Sequence, residues 1–175
     1  MTIYALSSGL GTSGIAVIRV SGTDTKNVIK SIVTGKLPPP RIATLKKIYK
    51  FNTNELIDEG VLLWFPGPKS YTGEDMAEFH VHGSRAVIEA LLSSITKVEN
   101  CRLAEPGEFT KIAFQNGKLD LLKAESISDL ISAETEMQRH QAIKIMSGRS
   151  SKKFNKLRER LLKILSNVEA KIDFP

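Results

Sequence analysis

The chain has 175 residues, of which 41% are apolar and 25% are charged, and its formal net charge is +6. These values are typical of a globular protein and exclude a disordered tail, and the length suits one domain plus part of another. The single cysteine, Cys101, excludes an internal disulfide bond and favours a reducing compartment. Because the sequence has no secretory leader and no apolar run of about 20 residues, we expect a soluble cytoplasmic protein.

The first two thirds of the sequence predict strands interspersed with helices. Runs rich in β-branched residues and bounded by turn residues predict strands at 2–6, 14–21, 43–51, 59–65, 75–82 and 101–104. Helices are predicted at 24–34, with Thr23 as the N-cap, and at 84–97, where apolar residues follow a helical period. Residues 66–73 form a polar loop rich in Gly and Pro.

The remainder of the sequence predicts helices. Pro106 suits a first helical turn, and the last stretch carries apolar residues every three or four positions: Phe154, Leu157, Leu161, Leu165, Val168 and Ile172. We therefore expect an α+β fold, with a mixed sheet and flanking helices in a domain 1–118 and an incomplete helical domain 119–175. An apolar stripe on so few helices requires a partner, so we expect a longer protein or an obligate assembly.

The positive charge is concentrated near the end of the sequence. Residues 139–175 hold ten Lys and Arg against three acidic residues, whereas the preceding 138 residues are close to neutral. A basic helix can attract phosphate backbones. A nucleic-acid-binding module is therefore one alternative function, and an ordinary solvated helix face is the other interpretation.

The sequence contains one apparent nucleotide-binding motif and lacks another. Residues 9–14 spell G-x-G-x-x-G after a strand, but a strand-like segment follows them where a dinucleotide site needs a helix. We interpret these glycines as a loop between two strands. The sequence contains no G-x-x-x-x-G-K-[ST], so this chain is not expected to bind GTP through a P-loop.

Candidate ligand-binding side chains gather on one predicted strand. Glu78, His80 and His82 alternate, so they share one face, and the two histidines could hold a metal ion in a metal-dependent enzyme. The alternative to a metal site is a polar strand face that lines a cleft or a subunit boundary. A carboxylate such as Glu78, Glu74 or Asp75 could also accept the paired N–H donors of a pterin or guanine ring.

Arg19 lies in the middle of a predicted strand, where a charge is costly unless it is paired. Its partner is a carboxylate, either of the protein or of a ligand. Lys118, in an Asn-Gly-Lys sequence, is unremarkable by itself, and Tyr71 could stack on a flat ring.

Eight short segments cover nearly the whole chain in order: 2–5 (TIYA), 17–22 (VIRVSG), 65–75 (FPGPKSYTGED), Glu78 with 82–83 (HG), 102–110 (RLAEPGEFT), 113–121 (AFQNGKLDL), 124–131 (AESISDLI) and 168–175 (VEAKIDFP). Considered together, these segments resemble the MnmE family of tRNA-modification GTPases. Each segment is short, and the specificity lies in eight of them occurring in register.

This resemblance implies a first domain similar to the tetrahydrofolate-binding fold of aminomethyltransferases, followed by a helical domain. It implies a homodimer formed by the first domains, and a site for 5-formyltetrahydrofolate or 5,10-methylenetetrahydrofolate. By matching motifs, the folate contacts are Arg19, Glu78 and Lys118. The one-carbon unit serves modification of the wobble uridine of tRNA with a flavoprotein partner, MnmG. GTP, Mg²⁺ and K⁺ belong to a GTPase domain that this chain does not contain.

The sequence departs from the family pattern at three places. It ends before the helical domain is complete and before the family's cysteine motif. Ile112 stands where the family usually has arginine, which could alter the site, and Ser84 replaces a usual glycine.

Overall fold

The computed structural model describes residues 1–9 and 11–173, which form two compact units that divide between Lys118 and Leu119. The first unit contains a six-stranded mixed sheet and three helices. Its strands are β1 (Thr2–Leu6), β2 (Ser13–Ser21), β3 (Thr44–Tyr49), β4 (Leu56–Phe65), β5 (Met76–Gly83) and β6 (Cys101–Leu103). Its helices are α1 (Thr25–Ile32), α2 (Arg85–Thr96) and α3 (Glu108–Gln115).

The strands lie in the order β3-β4-β5-β2-β1-β6. Strand β6 runs parallel to β1, and every other neighbouring pair in the sheet is antiparallel. The long central strands β2 and β5 pair Arg19 with Glu78 and Val17 with His80. The expected α+β class with a mixed sheet is therefore confirmed.

One face of the sheet carries the hydrophobic core. Alternate residues of the central strands, such as Ile18, Leu62 and Phe79, are fully buried together with Val28 of α1 and Leu91 of α2. Each such side chain contributes about 1.5–3 kcal/mol on burial. The residues between them point to the opposite face, which is only partly buried. That second face is where polar side chains can meet a ligand.

The second unit consists of helices α4 (Leu121–Ile131), α5 (Glu136–Met146) and α6 (Arg149–Asp173). Thr135 begins α5 with a reciprocal capping box to Gln138. The apolar stripe anticipated from the sequence lies on α6, and each of its six side chains is at least 49% exposed. None of the helices in the described part of the chain is long and apolar enough to cross a membrane.

Two predicted helix starts are wrong. Helix α1 begins at Thr25 with Asp24, not Thr23, at the N-cap position, because the Thr25 hydroxyl donates to the carbonyls of Gly22 and Asp75 and fixes the turn. Pro106 lies outside α3, because Gly107 at φ 76° turns the chain before the helix begins at Glu108.

Candidate functional site

The candidate site lies on the second face of the sheet, where β2, β4 and β5 run side by side. Glu78 sits between Arg19 of β2 and Leu63 of β4. His80, two residues further along β5, sits between Val17 and Val61 in the same way. All six side chains are half-buried. The site is thus a small polar cluster set in an apolar surface.

Arg19 and Glu78 form an ion pair across the two strands. Arg19 Nε and Nη2 donate to the same oxygen, Glu78 Oε1, at 3.0 and 2.8 Å. The Arg19 side chain is 27% exposed and that of Glu78 is 15% exposed. The carboxylate partner that a mid-strand arginine requires is therefore supplied by the protein itself, and Glu78 Oε2 accepts no hydrogen bond from the described residues.

Two aromatic rings hold the Arg19 guanidinium. Its central carbon lies 5.4 Å from the centre of the Tyr71 ring and 5.5 Å from that of Phe109, which are cation–π distances. The Tyr71 hydroxyl is hydrogen-bonded to the Thr110 hydroxyl at 2.9 Å, so the 66–73 loop and α3 are joined beside the arginine. Sequence reasoning suggested Tyr71 as a stacking residue but missed Phe109, although it lies within the 102–110 motif.

His80 is the second residue of this cluster that the site assignment from sequence did not include. Its Nε2 lies 3.4 Å from Glu78 Oε2, is shielded from solvent, and has no hydrogen-bond partner among the described residues. The signal in the sequence was the alternation of His80 with Glu78, which was interpreted only as a metal-binding pair or as a polar face lining a cleft.

His82 belongs to a different cluster, because its ring pairs with Asp58 of β4. His82 Nδ1 lies 2.8 Å from Asp58 Oδ1, and its backbone N–H donates to Asp58 Oδ2 at 2.7 Å. Burial raises the pKa of Asp58, but hydrogen bonds from His82 and the Glu59 backbone outweigh burial and leave the pKa below its usual value. The two histidines therefore face different carboxylates. Within residues 1–9 and 11–173, no three His, Cys, Asp or Glu side chains converge as metal ligands.

Lys118 contacts the 66–73 loop. Its Nζ donates to the carbonyl of Pro68 at 2.6 Å, and Asn116 Nδ2 donates to the carbonyl of Thr72 at 2.8 Å. The other two candidate carboxylates are engaged in the same region. Glu74 accepts from Ser21, while Asp75 accepts from the Gly67 amide and pairs with Lys26.

A second carboxylate–arginine pair fixes the start of α3. Arg102 of β6 donates from both terminal nitrogens to the two oxygens of Glu108, and the Glu105 amide donates to Glu108 Oε2 at 2.8 Å. The hydrogen bond from Arg102 holds the pKa of Glu108 below its usual value. This pair anchors the helix that carries Phe109.

Two other features of the sequence do not indicate an additional site. Leu10 of the G-x-G-x-x-G segment lies outside the described residues. Strand β2 begins at Ser13, within this segment, where a dinucleotide site would need a helix to begin. This agrees with the rejection of a dinucleotide site. Burial raises the pKa of the Cys101 thiol, which is the opposite of what a nucleophilic cysteine needs.

Comparison with known families decides the affiliation of the chain. Residues 2–118 match the family model "GTP-binding protein TrmE N-terminus", and residues 121–175 match "MnmE helical domain". The chain belongs to the MnmE (TrmE) family. Among its relatives, the tRNA modification GTPase MnmE of Pelagibacter ubique is 74% identical over 175 residues, which are 100% of this chain and 40% of that protein.

More distant MnmE relatives match over the same extent. The tRNA modification GTPase MnmE of Brucella anthropi is 49% identical over 99% of this chain and 39% of its own length. The mitochondrial 5-taurinomethyluridine tRNA synthase subunit of Danio rerio is 49% identical over 99% of this chain and 34% of its own length. The chain thus spans about two fifths or less of the curated relatives that it matches.

Proposed function

We propose that this chain is the module of a tRNA-modification GTPase that binds a reduced folate and forms a homodimer. The family affiliation and the names of the relatives support the role in tRNA modification. The Arg19–Glu78 cluster supports the folate. The ligand is 5-formyltetrahydrofolate or 5,10-methylenetetrahydrofolate, and its contacts are Arg19, Glu78 and Lys118.

The observation that carries the folate proposal is the acceptor that Glu78 keeps available. Both Arg19 hydrogen bonds end on Oε1, so Oε2 can accept an N–H of a pterin ring. Leu63 beside Glu78, together with Val17 and Val61 beside His80, gives the cluster an apolar surround against which a flat ring can lie. Small-molecule sites commonly combine an apolar surface with a few placed polar groups, and this cluster has both.

The remaining parts of the proposal come from the family. When bound, the folate supplies a one-carbon unit for modification of the wobble uridine of tRNA, together with the flavoprotein MnmG. GTP hydrolysis, with Mg²⁺ and K⁺, is assigned to a GTPase domain beyond these 175 residues. The protein is expected to act in the cytoplasm.

Calorimetric titration of the chain with 5-formyltetrahydrofolate, with the solution mass measured in parallel, tests the proposal. Saturable binding to a dimer that is lost in Arg19→Ala and Glu78→Ala would support it. Normal binding by both variants would overturn the site, and a monomer would overturn the dimerisation role of this chain. If a dimer binds no folate, the folate role fails, and Ile112→Arg then tests whether Ile112 is responsible.

A second candidate function rests on α6. Its residues Lys152, Lys156, Arg160 and Lys163 are exposed and spaced so that they follow one side of the helix, with Glu159 the only acidic residue among 152–163. Such a row could contact the phosphates of tRNA. Substituting all four by glutamine should weaken tRNA binding and flatten its dependence on salt between about 50 and about 200 mM.

The matched control for that experiment removes the same charge from the first unit. Lys30, Lys36, Lys47 and Lys97 are exposed there, and their substitution by glutamine should leave tRNA binding closer to that of the wild type. Equal losses in both variants, or no binding at about 50 mM salt, would reject a specific role for α6.

A further inference from the structure

Glu78 Oε2 and His80 Nε2 form a pair of hydrogen-bonding atoms with unused capacity on the same face of the sheet. They lie 3.4 Å apart, and their geometry does not make a hydrogen bond between them. Arg19 occupies only the other oxygen of Glu78. The His80 nitrogen is buried, although the side chain as a whole is 30% exposed, and a buried polar atom normally has a partner.

The chemistry of the two groups is complementary. An ionised carboxylate can only accept hydrogen bonds, whereas a ring nitrogen of histidine can carry a proton and donate one. In the tautomer that carries its proton on Nε2, His80 is a hydrogen-bond donor at that atom. The pair then presents an acceptor, Glu78 Oε2, next to a donor, His80 Nε2.

A ligand that satisfies both atoms needs a donor and an acceptor side by side. A ring N–H next to a ring carbonyl, which is a lactam edge, has this arrangement, and a pterin carries such an edge. The half-buried Val17 and Val61 flank His80 in the sheet, so the hydrogen bonds would form where competition from water is reduced.

We propose that Glu78 and His80 together recognise the lactam edge of the pterin ring, with Glu78 Oε2 accepting the ring N–H and His80 Nε2 donating to the ring carbonyl. This inference rests on the proposed folate function. It makes His80 a specificity-determining residue, and it gives Arg19 the role of holding the carboxylate in position.

A matched pair of ligands tests this assignment. Tetrahydrofolate has the lactam edge, whereas its reduced amino analogue, tetrahydroaminopterin, carries an amino group in place of the ring carbonyl and therefore reverses both hydrogen bonds. Wild-type protein should bind tetrahydrofolate at least about tenfold more tightly than the analogue, because mismatched buried polar groups are left unpaired. His80→Ala should lose most of that preference through weaker binding of tetrahydrofolate.

Two further variants separate recognition from folding. His80→Gln keeps an N–H donor and should restore part of the preference, which a purely structural role of His80 would not explain. His82→Ala removes the neighbouring histidine on the same face, which pairs with Asp58, and should leave the ratio of the two affinities unchanged. Thermal unfolding of each variant verifies that it is folded.

The possible failures are distinguishable. If wild type prefers tetrahydrofolate and a folded His80→Ala variant keeps the full preference, the assignment of His80 is wrong and the folate function stands. If wild type binds tetrahydrofolate and the analogue equally tightly, the proposed recognition of the lactam edge by Glu78 and His80 is wrong. If wild type binds neither ligand, the proposed folate function fails, and this inference fails with it.

Discussion

Arg19 directs two nitrogens, Nε and Nη2, at a single oxygen of Glu78, across the pair of strands β2 and β5. Two aromatic rings lie within cation–π distance of the guanidinium beside this contact. The arrangement orients the carboxylate while leaving its second oxygen for another partner. It links the stability of the sheet to the chemistry of the site, because both use the same pair of side chains.

A double-mutant cycle measures this link. Arg19→Ala leaves Glu78 half-buried without its charged partner, and Glu78→Ala does the reverse, so each should destabilise the fold by about 1–3 kcal/mol. The double variant should recover part of the loss, with a coupling of about 0.5–3 kcal/mol in urea denaturation. Arg19→Lys should not substitute for arginine, because an ammonium has neither the two-nitrogen fork nor the planar face.

The control pair for the cycle is Arg85 and Glu89, which also form an ion pair but are largely exposed on α2. Truncating either residue should leave the unfolding midpoint almost unchanged, because water screens such pairs. Additive effects of the Arg19 and Glu78 substitutions would show that the two residues do not act as a unit.

Much of the sheet could be predicted from sequence because its signals are local. Runs of β-branched residues alternating with polar ones identified β1 at its observed bounds and the other strands to within a few residues. The helix starts were less accurate. The Thr25 hydroxyl also donates to the carbonyl of Asp75, which lies 50 positions away, and the local sequence does not encode this contact at the start of α1.

The site was only partly predictable for the same physical reason. The position of Arg19 in the middle of a predicted strand indicated that it needs a carboxylate partner, and the period of two residues in a strand placed Glu78 and His80 on one face. Phe109 reaches Arg19 from 90 positions away in the sequence, through the position of α3. The periods of strands and helices show which face of an element a residue occupies. They do not show which distant side chains pack over that residue, because this depends on tertiary structure.

Gly60 should not tolerate a side chain. A Cβ there would lie 2.3 Å from the carbonyl oxygen of His80, which belongs to the neighbouring strand and cannot move independently. Gly60→Ala should therefore force β4 and β5 apart and cost at least about 1–3 kcal/mol. Urea denaturation gives the stability, and folate titration gives the effect on the site.

Gly14→Ala is the matched control, because a Cβ at Gly14 meets nothing within 4 Å and its φ is not positive. We expect a stability change within about 0.5 kcal/mol of wild type. Equal stability of the Gly60 and Gly14 variants would mean that the two strands can separate at little cost.

The capping box at the start of α5 should be measurable in the second unit. Thr135 accepts a hydrogen bond from the Gln138 backbone at 3.2 Å, and the Gln138 side chain accepts one from the Thr135 backbone at 2.9 Å. Thr135→Ala should reduce stability by about 1 kcal/mol, whereas Thr135→Ser should keep most of it because serine retains the cap oxygen. Hydrogen exchange of the amides in the first turn of α5 would report the effect locally. Equal exchange in both variants would rule out a contribution from the cap.

The pH dependence of stability should reveal the Arg102–Glu108 pair. The hydrogen bond from Arg102 holds the pKa of Glu108 below its usual 4.5 in the folded chain. A carboxyl with a depressed folded pKa stabilises the fold above its unfolded pKa, and this contribution is lost as pH falls through the folded pKa. The stability difference between wild type and Glu108→Gln should therefore be constant near neutral pH and shrink below about pH 4.5.

Arg102→Met identifies the cause of that dependence. In this background the hydrogen bond that most lowers the pKa of Glu108 is absent, so Glu108→Gln should change stability by a similar amount at neutral and acid pH. Urea denaturation of the four variants at several pH values completes the test. A wild-type advantage that grows on acidification would have the wrong sign for a stabilised carboxylate, and the ion pair could then not be what anchors the start of α3.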